Sequence, residues 1–257
     1  MTQAYIYAEE LLNTINPDSV FVEIGSDFGV AYGPEGSDGS TLFLANLAEK
    51  FNTTLHTVDF KKVESKIIDK SNIVWHTEIG SQWAKNTYPA IGKKISLLYL
   101  DNHFFKGPAY ELPIEEWIKQ SVWTSDIYNN IKGADWPQMF VKFDELPQRC
   151  QDDVKVNFSL IYERMHYDSE SEYINAGLSI SNDDSQLEHF KQVYHLVPWL
   201  DDDCLIILDD SPRAGGVWYG KGGPCVSLLQ TVGFKIKKVV SDGTGAVILQ
   251  GKDKNGS

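Results

Sequence analysis

The chain holds only three cysteines, Cys150, Cys204 and Cys225, in 257 residues, and no two have CxxC spacing. That excludes a disulfide framework and a cysteine-based zinc cluster, and it fits a reducing, cytoplasmic setting. Long apolar runs are missing too: none approaches the roughly 20 residues that span a bilayer. The opening MTQAYIYAEELLNTINPDS lacks the basic start and continuous apolar stretch of a signal peptide. A soluble protein with no membrane partner is expected. Positive charge is scarce, with 23 Lys and Arg against 36 Asp and Glu and a formal net charge of -13. Such a chain repels a phosphate backbone, so a nucleic-acid substrate is not expected.

What is present suffices for a core, since 42% of the residues are apolar. One domain, 1–257, with an insertion is the expected organisation. Helical spacing marks residues 5 to 15, stopped by Asn16-Pro17, and this helix is expected to pack at a sheet edge. Ser19 to Gly25 reads as a buried strand that ends in an acid and a glycine. After a glycine-rich stretch from Ser26 to Gly39, Leu44, Leu47, Ala48 and Phe51 recur at helical spacing, with Ser40 as the expected N-cap.

Further strands are read at Thr54 to Asp59, Asn72 to His76, Ile95 to Asp101 and Cys204 to Asp210. A helix is expected around Leu187 to Val197 and another around Val226 to Val232. Phe234 to Val240 and Ala246 to Leu249 flank a glycine-containing turn and read as a hairpin. Strands alternating with helices imply a doubly wound, Rossmann-like, mostly parallel sheet of seven strands, closed by an antiparallel C-terminal hairpin. From about 105 to 185 the composition shifts to aromatics and charges, an insertion between the fourth and fifth strands. It is read as a lid, an acceptor pocket or a homo-oligomer contact.

Ligands of such sheets bind beyond the carboxyl ends of the strands, and Glu23, Asp59, Asp101, Asp209 and Asp210 all fall there. Glu23-Ile24-Gly25-Ser26-Asp27-Phe28-Gly29 fits E/D-x-G-x-x-x-G, in which glycines admit a ligand close to the backbone. A dinucleotide fingerprint G-x-G-x-x-G is lacking, because the residue after Ser26 is Asp27. Asp59 is placed to accept hydrogen bonds from two ribose hydroxyls. The plainer readings of these residues are a turn glycine without a ligand, a capping acid, and an Asp209-Asp210-Ser211-Pro212 turn.

The glycine turn with Asp59 resembles the cofactor site of class I S-adenosylmethionine (SAM) dependent methyltransferases. The resemblance covers about residues 15 to 104 and 186 to 250. It implies SAM contacts from Glu23, Gly25, Ser26, Asp27, Gly29, Ser40, Thr41, Asp59, Ser81 and Asp101, with Ser81 on the adenine side. Asp101 with Asp209 and Asp210 further resembles the metal-dependent small-molecule and sugar O-methyltransferases, where oxygen donors at these strand ends hold Mg2+. That implies Asp101, Asp209 and Asp210 as ligands of a divalent metal, which would lower the pKa of an acceptor hydroxyl.

His103 is the candidate base and Asp101 the alternative. Asp101-Asn102-His103 is one residue shorter than the Asp-Gly-x-His of many sugar enzymes. The expected partner is a small hydroxylated acceptor. Three alternatives stay open: a SAM methyltransferase without a metal, a nucleotide-dependent oxidoreductase, and a nucleoside-binding protein that does not catalyse. The remaining histidines, at 56, 76, 166, 189 and 195, carry no ligand spacing.

Overall fold

Strands that are apolar on both faces must be covered on both faces, and this requirement builds the molecule. The computed structural model describes residues 3–26, 39–59, 70–101, 182–211, 213–214, 217–218, 221–241 and 245–252. Its strands are β1 Val20–Ile24, β2 Leu55–Asp59, β3 Ile73–Thr77, β4 Ile95–Leu100, β5 Leu200–Asp209, β6 Arg213–Ala214, β7 Val217–Trp218, β8 Phe234–Val240 and β9 Ala246–Lys252. Seven of them form one sheet in the order β3-β2-β1-β4-β5-β9-β8, while β6 and β7 make a separate short hairpin. The first five pair in parallel, and β9 runs antiparallel to both β5 and β8. This is the expected doubly wound sheet with its antiparallel end.

The helices are α1 Gln3–Leu11, α2 Ser40–Lys50, α3 Gly80–Gln82, α4 Tyr88–Ile91, α5 Asn182–Leu196 and α6 Gly223–Thr231, with a π-helical turn Trp83–Thr87 joining α3 to α4. Period-two alternation sorts the strand side chains onto two cores. Val22, Ile24, Leu98, Leu100, Ile206 and Leu208 face Trp83, Phe190, Val226 and Leu229. On the other side Phe21, Leu97, Tyr99, Leu205 and Ile207 face Tyr5, Ala8, Leu44 and Leu47. Each large apolar side chain so enclosed contributes about 1.5–3 kcal/mol. The same alternation turns Glu23 toward α2, because it shares a face with Phe21. The exposed edge strand β8 carries Lys235, Lys237 and Lys238, charges that discourage pairing with another strand.

Four expectations are corrected. The first helix ends at Leu11 rather than 15, and it covers a sheet face instead of an edge: Tyr5 stacks on Phe43 at 4.4 Å and meets the Tyr99 ring at 6.3 Å. The N-cap of α2 is Gly39, not Ser40, whose hydroxyl is spent elsewhere. β5 begins at Leu200, so Asp201 to Asp203 belong to the strand, with Leu200 beside Ile95 of β4. The insertion expected to about 185 yields its last positions to α5, which starts at Asn182; residues 102–181 lie outside the described residues.

Candidate functional site

The parallel order reverses between β1 and β4, since the chain builds outward to β3 on one side and to β5 on the other. A crevice opens at such a switch point, beyond the carboxyl ends of the strands. Gly25 turns the chain there at φ 93°, a left-handed conformation that a side chain would strain. Its amide donates to Val58 O at 2.9 Å, and the Ser26 amide donates to Asp59 Oδ2 at 3.2 Å. The turn after β1 is thus tied to the end of β2. Across the switch point, the Asp101 amide donates to Ile24 O at 2.9 Å, which pins the end of β4 to β1.

Beneath the turn lies Glu23, fully buried. Its Oε1 accepts from Ser40 Oγ at 2.6 Å, and its Oε2 accepts from Thr41 Oγ1 at 2.7 Å and Thr57 Oγ1 at 2.6 Å. Because the Thr57 proton goes to the carboxylate, Ser26 Oγ is the donor in its 2.6 Å contact with Thr57 Oγ1. A buried carboxylate is tolerated when hydrogen bonds replace its water, and this one also welds β1, β2 and the first turn of α2 together. Ser40 and Thr41, expected at the cofactor, serve Glu23 in this structure.

On the β4 and β5 side, the acids named from the sequence do come together, around a residue the sequence reading did not name. Lys221 Nζ lies 2.6 Å from Asp101 Oδ1 and 2.8 Å from Asp210 Oδ2, and its side chain is 1% exposed. Tyr99 supplies a second link, its hydroxyl 3.0 Å from Asp209 Oδ2 and 3.3 Å from Asp101 Oδ2. Burial alone would pull the Lys221 ammonium down, but the charges of Asp101, Asp210 and Asp209 outweigh it and hold it above the usual lysine range. Asp209 is pushed well above the carboxylate range by burial and by Asp101 and Asp210, with Lys221 opposing.

Local chain geometry explains how the lysine gets there. After β5 the chain turns at Asp210, φ 49°, and returns through the β6–β7 hairpin. It then threads a gap only glycine fits: a Cβ on Gly222 would lie 2.0 Å from Ser211 Oγ, and one on Gly223 would lie 2.8 Å from Trp218 O. The signal in the sequence was Gly220-Lys221-Gly222-Gly223, a lone lysine in a glycine run shortly after an acid-ended strand.

That lysine decides the fit of a metal. Mg2+ requires oxygens at about 2.1 Å in near-octahedral array, whereas oxygens of Asp101 and Asp210 are held by an ammonium. Among the described residues no group of three His, Cys, Asp or Glu is arranged to hold a metal ion. The metal set expected at Asp101, Asp209 and Asp210 therefore does not fit a divalent cation as these residues stand.

Ser81 sits buried at the start of α3, where its amide donates to Glu188 Oε1 of α5 at 2.8 Å. Gln192 Nε2 reaches the same oxygen at 3.1 Å. Burial pushes the Glu188 carboxyl up, against the pull of these hydrogen bonds. Gly80 is forced by close approach, since a Cβ would lie 2.5 Å from Ile24 Cγ2. The sequence reading also passed over His56 and His76, which share a 3.0 Å contact between Nδ1 and Nε2. Asp27, Gly29 and His103 lie outside the described residues.

No family model matches the sequence, and no curated protein matches it. Among solved structures the chain is similar to one described as a ribosomal RNA methyltransferase from Plasmodium falciparum, with a TM-score of 0.41 and 11% identity over 98% of this chain and 96% of that one. It is also similar to the MycE methyltransferase of the mycinamycin biosynthetic pathway in complex with Mg and SAH, with a TM-score of 0.44 and 10% identity. There it covers 98% of this chain but 50% of that chain.

Proposed function

We propose that the chain is a SAM-dependent methyltransferase that delivers the sulfonium methyl to a hydroxyl oxygen of a small hydroxylated acceptor. The observation that carries the reading is the join of β1 to β2, where the glycine turn at Gly25 and Ser26 leans on Asp59 beside the switch point. Charge favours this reading over a dinucleotide oxidoreductase. A pyrophosphate is an anion that settles at a helix N-terminus, and the buried Glu23 carboxylate lies against the first turn of α2. The neighbouring strand ends carry Asp59, Asp101, Asp209 and Asp210. SAM carries a cationic sulfonium and no phosphate, so an acidic rim attracts it. The net charge of -13 supports a small acceptor over a nucleic acid.

In the reaction an acceptor oxygen attacks in line, the O–CH3 bond forms as the S–CH3 bond breaks, and the sulfonium leaves as a neutral thioether. Gly25 and Ser26 shape the turn that receives SAM, and the sequence pattern adds Asp27 and Gly29 as further SAM contacts. Asp59 takes the ribose hydroxyls, Ser81 belongs to the adenine side, and the hydroxyl proton goes to His103 or to Asp101.

Calorimetric titration with SAM, SAH and NAD tests the reading. SAM and SAH should bind and NAD should not, and Asp59→Asn should weaken SAM about 10-fold or more, the loss of one charged hydrogen bond. Binding of NAD without SAM would overturn the cofactor assignment. Transfer of labelled methyl to RNA in preference to hydroxylated small molecules would overturn the acceptor class.

A further inference from the structure

We propose that Lys221 is the built-in cation of this site, standing where the acid pattern calls for a divalent metal and holding Asp101 and Asp210 in place without one. Three observations support this. The ammonium is within 2.8 Å of both carboxylates, so a metal and Lys221 would compete for one position. The side chain is 1% exposed, which leaves it no solvent to retreat into. The loop behind it is closed, because neither Gly222 nor Gly223 has room for even a Cβ against Ser211 and Trp218.

Charge gives the reason for the arrangement. Asp101 and Asp210 stand on adjacent strand ends beside the buried Asp209 carboxyl, and like charges so placed repel strongly away from bulk water. Something positive has to offset them. A metal does so at the cost of stripping its waters and stays only while its concentration is maintained, whereas a lysine is always present in the folded chain. Lys221 reaches the acids from β6–β7 and the start of α6, so folding of that loop and assembly of the site are one event. Because its ammonium is turned toward the acids and shut away from solvent, Lys221 acts through them as a positioning residue. It fixes the Asp101 carboxylate at the switch point, beside the turn of β1.

The inference concerns the cation of the site and holds whichever acceptor is used, so its test needs no methyl transfer. Mn2+ is the probe, followed by electron paramagnetic resonance on the wild-type chain, Asp210→Asn, Lys221→Arg, Lys221→Ala and Lys221→Ala/Asp210→Asn. The wild type and Lys221→Arg should show no Mn2+ bound tighter than about 1 mM, the weak end for oxygen-ligand sites. Lys221→Ala should gain a Mn2+ site that Mg2+ displaces, and Asp210→Asn should abolish it. A Mg2+-displaceable Mn2+ site in the wild type, lost on Asp210→Asn, would overturn the proposal. Should Lys221→Ala fail to fold, the wild type and Lys221→Arg still decide it. Failure of SAM to bind would instead strike at the proposed reaction and leave the cation result standing.

Discussion

Lys221 Nζ donates to Asp101 Oδ1 across 2.6 Å, a contact between residues 120 positions apart in the chain. It joins the loop after β5 to the end of β4, and with the 2.8 Å contact to Asp210 it makes one ionic unit of two strand ends. The unit's energy comes from a cation in a poorly solvated place, so it is sensitive to the loss of either sign.

Lys221→Met, which keeps the length of the side chain and removes its charge, should destabilise the protein by about 1–3 kcal/mol in urea unfolding at pH 7. That is below the roughly 3–5 kcal/mol of a fully buried broken pair, because Asp101 and Asp210 remain 21% and 25% exposed and water screens part of their repulsion. Lys221→Arg should lose less. Equal stability of Lys221→Met and the wild type would show that the pair is worth nothing to the fold.

Gly222→Ala places a methyl 2.0 Å from Ser211 Oγ, with Leu208 Cβ and Asp209 O next at 3.2 and 3.3 Å. The expected cost is about 1–3 kcal/mol, the range for overpacking. Ser211→Ala removes the colliding oxygen, so the double variant should recover most of the loss in a thermal melt. Additive losses would mean that the loop moves as a whole.

Glu23→Gln removes the charge that three hydroxyls point at and offers them an amide N–H on one side. A buried donor facing a donor costs about 1–3 kcal/mol. The damage should concentrate at the start of α2, where amide hydrogen exchange of residues 40–44 should speed up more than that of β5. Uniform acceleration would argue against Glu23 as the weld between α2 and the sheet.

Acid should destabilise the fold earlier than the carboxylates alone require. Burial, then His76 and Lys93, hold His56 down at about 4, and burial, then Lys85 and Lys191, hold His195 down at about 3, against 6.5 for an ordinary histidine. Between those values the unfolded chain binds protons that the folded chain does not. The histidine contribution is therefore complete above about 6.5 and falls as pH drops toward 4, by up to about 1.4 kcal/mol per pH unit for each histidine, while the raised carboxyls of Asp209 and Glu188 act with the opposite sign. Urea midpoints at pH 7, 6 and 5 measure the slope, and His56→Asn should flatten it; an unchanged slope would remove His56 as a cause.

Periodicity made the fold legible. Apolar runs such as Ile95 to Leu100 and Cys204 to Leu208 have one stable use, as strands covered on both faces, and their order with the intervening helices implied the parallel sheet. The terminal hairpin was visible because its turn and its two strands are adjacent in sequence. Boundaries were less legible where tertiary contacts decide them. Leu200 joins β5 through its pairing with Ile95, although Asp201 to Asp203 look like a loop. Ser40 looks like a cap until Glu23, 17 residues earlier, claims its hydroxyl.

By itself, then, the sequence determined the sheet, its antiparallel end, and the placing of Glu23, Asp59, Asp101, Asp209 and Asp210 at or near the carboxyl ends of their strands, because strand ends are set by local pattern and strand order. The tertiary structure alone decided what those acids meet. Glu23 meets three hydroxyls, and Asp101 and Asp210 meet Lys221. Such partners are chosen by how the chain returns through space, and a lysine between glycines carries no sign of that return until Ser211 and Trp218 close over the turn that delivers it.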